Sequence, residues 1–475
     1  MNVSKPLWTA AAPAWRCLLL SALLLAAGCA GVPAGSGQAG TPKNIIIMFA
    51  DGTAPTQLEF GKYTARHLRN EGFAVTDVML REGTLGLLST HPANAFITDS
   101  AAGASAMSTG RKVNNFVVSM TPDGQRPVTL MQAAKARGKR IGLVTTATVY
   151  DASPAAFSVN APDRGEYQSI VDQYLQLEPD VLLGGGAEYF LPAKAGGKRK
   201  DAVDVIAAFA GKGWQVVRDT AALNAASAAR VLGLFSHEDL DLELDRDASK
   251  EPSTAEMTAA ALKALDRDNP NGFVLFVENE NTDTAGHAND AAALMRALWA
   301  FDKAVQVAID YQRSHPDTLV LVAADHETGG LSPTYAQIDL SSMSSKNRLY
   351  VDVPRLKMLE GITLSFNGMT EKLGKQPSAA MLDELLAKHY PGFKLDADLR
   401  EAILKARPLE RNYSYITASA LSRMVSRQTG IYWGTGGHTV EPVAIGAIGP
   451  GSRLFHGWQD NTDFARHLHG LLGAQ

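Results

Sequence analysis

Cysteine is nearly absent: the 475-residue chain has two, Cys17 and Cys29, both close to its start. Everything after Cys29 therefore folds without a disulfide, and any zinc bound there must take its ligands from His, Asp and Glu. An excess of basic charge is also missing. Lys and Arg number 45 against 49 Asp and Glu, for a formal net charge of -4 and a pI near 6.3. No cationic field is available to hold a phosphodiester backbone, so nucleic acid binding is not expected. The leader holds no apolar run long enough to span a bilayer: Cys17 to Ala27 falls well short of the ~20 residues required.

What the chain does have begins with that leader. Lys5 and Arg16 precede the Cys17 to Ala27 stretch, which reads as the apolar core of an export signal. The segment Leu25-Ala26-Ala27-Gly28-Cys29 resembles a bacterial lipobox, in which the cysteine is lipidated, although Ala26 replaces the usual Leu and cleavage near Ala30 is the alternative. Gly, Ala, Pro and Ser dominate from Ala30 to Thr41, as in a flexible tether. The expected division is a signal over 1–28, a lipidated cysteine and tether over 29–42, and a catalytic domain over 43–475. The protein is thus expected to be exported and either anchored to the outer membrane through its lipid or periplasmic.

Within the domain, 45% apolar residues are enough for a large core. Near-continuous apolar runs predict strands at Asn44 to Ala50, Arg140 to Thr146, Val181 to Leu183, Gly272 to Val277, Leu319 to Ala324 and Val443 to Ile448. Helical patterns such as Ala255 to Leu265 and Ala291 to Tyr311 lie between them. This rhythm predicts an α/β fold with a mostly parallel central sheet flanked by helices on both faces. From about 332 to 430 the rhythm breaks, and a helical and irregular insertion is expected before the last strand.

Three of those strands run directly into acidic or histidine residues: Asp51 after the first, Glu278 at the end of the fourth, and Asp325-His326 after the fifth. Parallel strands open their carboxyl ends into one crevice, so these side chains should converge, with Asp283 and His287 just beyond Glu278. Each residue alone has an ordinary reading. A strand-end Asp is commonly a cap, Asp283 and His287 suit an i,i+4 ion pair, and His67, His315 and His389 read as surface or core histidines. Ser100, in Thr98-Asp99-Ser100-Ala101-Ala102-Gly103, is placed at a helix N-terminus, where free N–H groups favour an anion. By itself it could be one more capping serine.

Taken together the motifs resemble the alkaline phosphatase family. Asp51-Gly52, Asp99-Ser100-Ala101-Ala102, Asp151-Ala152-Ser153-Pro154, Leu183-Gly184-Gly185-Gly186, Glu278 with Asp283 and His287, Asp325-His326 and Gly437-His438-Thr439 occur in the family's order, from roughly Asn44 to Pro450. The resemblance implies a phosphate monoesterase with two Zn2+ and one Mg2+. Asp283, His287 and His438 would hold one zinc. Asp51, Asp325 and His326 would hold the other beside the nucleophile Ser100, and Asp51, Ser153 and Glu278 would hold magnesium. This division suits the ligand chemistry, since zinc accepts imidazole with carboxylate and magnesium prefers oxygen. Arg164 would clamp phosphate, Asp151 would stand just outside the magnesium ligands, and a phosphoserine would be the intermediate.

Two positions depart from the family pattern. Thr284 stands where Lys or His is common near phosphate, and Ser153 where Thr is usual. Members are often dimers, so a homodimer is the corresponding expectation. The competing functions are a related two-zinc phosphodiesterase or sulfatase and a non-catalytic phosphate- or metal-binding lipoprotein. A Cys/Ser-x-Pro-x-Arg sulfatase motif does not follow Ser100. The natural monoester is not encoded in any of these motifs.

Overall fold

The computed structural model describes residues 40–337, 348–409 and 415–473; the signal and lipobox readings, and the tether up to residue 39, lie outside the described residues. Ten strands form the main sheet. They are β1 (Asn44–Ala50), β2 (Thr84–Ser89), β3 (Arg140–Thr148), β4 (Val181–Gly185), β5 (Gln215–Val217), β6 (Val231–Leu234), β7 (Phe273–Asn279), β8 (Thr318–Ala323), β9 (Val443–Ile448) and β10 (Gly457–Asp460). Their order is β10-β2-β9-β8-β1-β7-β3-β4-β6-β5. Only β9 runs against its neighbours, pairing antiparallel with both β2 and β8. The expected mostly parallel α/β sheet is what the chain forms.

Its central strands are apolar because both faces are covered. β1, β7 and β8 are buried at every position. Alternation along β1 sends Ile46 and Met48 to one hydrophobic cluster and Ile45, Ile47 and Phe49 to the other. The first cluster packs against the long helix Ala291–Ser314 through Leu294, Leu298, Phe301 and Val305. That helix starts where Asp290 accepts hydrogen bonds from the N–H groups of Ala292 and Ala293. On the opposite face lie α1 (Ser100–Thr109) and α2 (Ala152–Ser158). The small side chains of α1 let it lie close to the strand ends. A Cβ at Gly103 would stand 3.0 Å from the Cβ of Asp325.

Between β8 and β9 the chain leaves the sheet. Leu331–Pro333 pairs with Ile431–Trp433, Tyr335–Gln337 pairs with Arg348–Tyr350, and among the described residues five helices lie between Val353 and Thr429. This region is tied to the sheet domain by a buried and a half-buried acid: the Phe366 N–H donates to Asp290 (2.7 Å) and the Ser365 N–H donates to Asp245 (2.9 Å).

Beneath the crevice at the strand ends, Phe276 packs on Phe157 with ring centroids 4.5 Å apart and on Phe49 at 5.1 Å, all fully buried. Phe276→Ala is expected to cost ~3–5 kcal/mol, the usual range for emptying a core site of this size. Denaturant unfolding of the metal-loaded protein would measure it, and a loss under about 1 kcal/mol would show that this layer is not what supports the strand ends.

Candidate active site

β8, β1 and β7 are adjacent, so their carboxyl ends present Asp325 and His326, Asp51, and Glu278 side by side. The turn after Asp51 needs glycine: Gly52 has φ +68°, and a Cβ there would lie 2.7 Å from both Asp283 Oδ1 and Thr328 Oγ1. After β7, the short helix α3 (Asn281–His287) places Asp283 and His287 one turn apart, with His287 Nε2 3.2 Å from Asp283 Oδ2. Loops far apart in sequence thus deliver two clusters: Asp283 with His287 and His438, and Asp51 with Asp325 and His326.

In the first cluster the ring orientations are set by backbone carbonyls. His287 Nδ1 lies 2.7 Å from Gly436 O, and His438 Nδ1 lies 2.8 Å from Thr98 O. A carbonyl can only accept, so both Nδ1 atoms carry hydrogen and both Nε2 atoms turn inward, 3.1 Å apart. Two lone pairs at that distance repel unless a proton or a cation lies between them. Burial disfavours the charged form of His287, but the Asp283 carboxylate outweighs it and raises the imidazole to about 9. Asp283 is held well below its usual range by His287 and the neighbouring imidazoles, against the opposing effect of burial.

The second cluster lies against Ser100. His326 Nε2 is 3.2 Å from Asp325 Oδ2, 3.5 Å from Asp51 Oδ1 and 3.1 Å from Ser100 Oγ. Its other nitrogen faces Thr328 Oγ1 at 3.2 Å, and Thr328 donates its own hydrogen to Asp283. That leaves the Thr328 oxygen to accept from Nδ1–H, which again turns the Nε2 lone pair inward. Burial holds His326 neutral, well below the usual imidazole range. Burial also raises Asp51 and Asp325, aided by repulsion from Asp283 on both, Asp325 to about 8.

A third group lies on the far side of Asp51. Ser153 Oγ is 3.4 Å from Asp51 Oδ2, and Glu278 takes a hydrogen bond from Thr145 Oγ1. Glu278 is fully buried and is raised to about 8 by that burial.

These groups fit cations. Among the described residues, Asp51 Oδ1, Asp325 Oδ2 and Glu278 Oε1 are buried carboxylate oxygens without a hydrogen-bond donor. Buried polar atoms are ordinarily partnered, and three carboxylate acceptors orphaned together call for bound protons or cations. The two imidazole-bearing clusters offer zinc ligands, and the Asp51, Ser153 and Glu278 set offers only oxygen.

Ser100 opens α1, and Asp99 caps it by accepting from the Ala102 N–H at 3.0 Å. Thr98 is not the cap, because its hydroxyl donates to Asp99 O. Arg164 donates to Asp99 Oδ2 (3.2 Å) and Asp151 Oδ1 (3.1 Å). These carboxylates more than offset burial and hold the guanidinium charged. Asp151 is thus occupied with Arg164. Thr284 donates its hydroxyl to Glu280. The histidines set aside from the sequence have other neighbours: His67 packs on Tyr63, His315 on Tyr311, and His389 bonds Thr363. Sequence reasoning missed Thr328, Thr145 and the carbonyls of Thr98 and Gly436. Thr328, two residues beyond His326, could have been suspected from position, whereas a main-chain carbonyl leaves no mark in a sequence.

At pH 7 the metal-free protein holds protons on Glu278 and Asp325, with values near 8, and on His287, near 9. All three are raised, so the folded state holds more protons than the unfolded one; the carboxyls lose their contribution to stability from the ordinary carboxylate range up to about 8 and His287 from the ordinary imidazole range up to about 9. Zinc and magnesium loading is expected to release protons at pH 7 and progressively fewer above pH 9. Calorimetry in two buffers of different ionisation enthalpy would detect this, and a release independent of pH would contradict the assignment.

Sequence and fold place the chain among known proteins. The family model described as alkaline phosphatase matches residues 42–473. Alkaline phosphatase 3 of Bacillus subtilis is 31% identical over 438 residues, covering 90% of this chain and 89% of the relative. Repressible alkaline phosphatase of Saccharomyces cerevisiae is 31% identical, covering 90% of this chain and 81% of its own. The crystal structure of Thermus thermophilus alkaline phosphatase matches with a TM-score of 0.83 at 31% identity, over 93% of this chain and 94% of that one. With the same fold, two clustered ligand sets and a serine against one of them, this chain belongs to the alkaline phosphatase family, the metal-dependent phosphate monoesterases.

Proposed function

We propose that the chain hydrolyses phosphate monoesters through a phosphoserine at Ser100. Asp283, His287 and His438 would hold one zinc, Asp51, Asp325 and His326 a second, and Asp51, Ser153 and Glu278 a magnesium. The observation that carries this reading is Ser100 Oγ, 3.1 Å from His326 Nε2 and beside carboxylate oxygens that have no donor. Bound there, the ions would supply Lewis-acid charge that lowers the cost of ionising a hydroxyl and of crowding anionic oxygens together.

The chain's own groups do the rest. The α1 N-terminus and its Asp99 cap hold Ser100 in place, and the free N–H groups there favour an oxyanion. Ser100 Oγ attacks phosphorus, the bond to the ester oxygen breaks, and the alcohol leaves. Water then attacks the phosphoserine, releasing inorganic phosphate and restoring the hydroxyl. Arg164 offers a planar fork for two phosphate oxygens, and Asp99 and Asp151 fix its orientation. Thr328 and the carbonyls of Gly436 and Thr98 keep each imidazole in the tautomer that leaves Nε2 free. Arg164 and the Glu278 set favour a monoesterase over a diesterase, and a purely binding role would leave Ser100 unexplained.

Export and anchoring through Cys29 belong to the same proposal, resting on Lys5, Arg16 and the Cys17 to Ala27 run. Among the described residues, no helix is long and apolar enough to cross a membrane. A homodimer is proposed from the family resemblance alone.

Ser100→Ala is expected to yield no covalent phosphoprotein when incubated with a phosphate monoester at low pH, by intact mass, whereas the parent protein gains one phosphoryl group. A phosphorylated Ser100→Ala protein would refute the assignment. Arg164→Ala should lose ~10²-fold in kcat/KM, the scale of removing one charge-stabilising donor. A change below about threefold would place Arg164 outside the phosphate site.

A further inference from the structure

We propose that Glu327 is a positioning residue that locks the two zinc ligand sets into one unit, an inference that rests on the zinc assignment above. Glu327 follows His326, is fully buried, and has no cationic side chain within ion-pair distance among the described residues. A buried carboxylate in that state is costly unless donors surround it. Here they do. Oε1 accepts from Gln57 Nε2, from Gly330 N (2.9 Å) and from Leu331 N (3.3 Å). Oε2 accepts from Gly330 N (3.0 Å) and from Thr439 Oγ1 (2.5 Å).

The donors come from the segments that carry the ligands. Gln57 belongs to the helix that follows Asp51, and it also accepts from Ala54 N (3.2 Å) and donates to Thr328 O (3.3 Å). Gly330 and Leu331 close the loop after Asp325 and His326. Thr439 follows His438, and the two short strands pair with His438 opposite Thr328 and Thr439 opposite Glu327. One side chain therefore joins the Asp51, His326 and His438 segments without belonging to either candidate zinc set. An apolar residue would fill the space but bind none of them. Glutamine would set an amide N–H against N–H donors.

The test is zinc binding and release, measured by competition with a chromogenic chelator, for the parent protein, Glu327→Gln and the near-isosteric Thr439→Val. The inference expects ~10–100-fold weaker zinc binding in Glu327→Gln, the range seen when groups orienting metal ligands are lost. It also expects faster release of one of two zincs in Thr439→Val, by more than the accompanying drop in its metal-free unfolding midpoint accounts for. Parent-like zinc affinity and release in both variants would overturn it, and reduce Glu327 to a fold-stabilising residue. A parent protein that takes up no zinc would instead sink the zinc assignment itself.

Discussion

The structure depends on the crowding of carboxylates at the ends of three adjacent strands. Asp51, Glu278 and Asp325 are buried, each keeps an oxygen without a donor, and Asp283 repels both Asp51 and Asp325. A folded protein does not keep such an arrangement for stability, because burying unpaired like charges opposes folding. The metal-free protein relieves it by holding protons. Metal ions relieve it while leaving the oxygens available for chemistry, and the ligand chemistry follows from that exchange.

The parallel sheet makes this crowding possible with few other demands on the sequence. Because β8, β1 and β7 are neighbours, residues from positions 51, 278 and 325 converge without a long connecting loop, and α3 adds Asp283 and His287 immediately after β7. The opposite charge comes from elements placed at the rim. α1 offers its N-terminus through Ser100, and Arg164 is held in place by Asp99 and Asp151. Among the described residues, the region between β8 and β9 contributes no member of the two clusters before His438, but Ile431–Trp433 leads into the Gly434 to Gly437 turn, whose Gly436 carbonyl orients His287.

Much of this was legible in the sequence because the signal is strong where burial is complete. The apolar runs ending at Asp51, Glu278 and Asp325 mark central strands buried on both faces, and their ends mark the crevice. Strands at the margins were not legible. β2 keeps exposed positions such as Leu85, while β5 and β6 are only three and four residues long. Helix capping at Asp99 and Asp290 could be read from residue type, but the partners that set imidazole tautomers could not, since two of them are backbone carbonyls. Thr284 shows a different limit. Its side chain is committed to Glu280, a contact that depends on tertiary placement rather than on pattern.

The central claim is that these buried acids bind cations for monoester hydrolysis. The most direct test compares a chromogenic phosphate monoester, the matching diester and the sulfate ester across pH 7 to 11, using protein that starts after Cys29, with zinc and magnesium and then with chelator. The account predicts a strong monoester preference that chelation abolishes and added metal restores. Preference for the diester or the sulfate, or monoester hydrolysis that survives complete chelation, would contradict it.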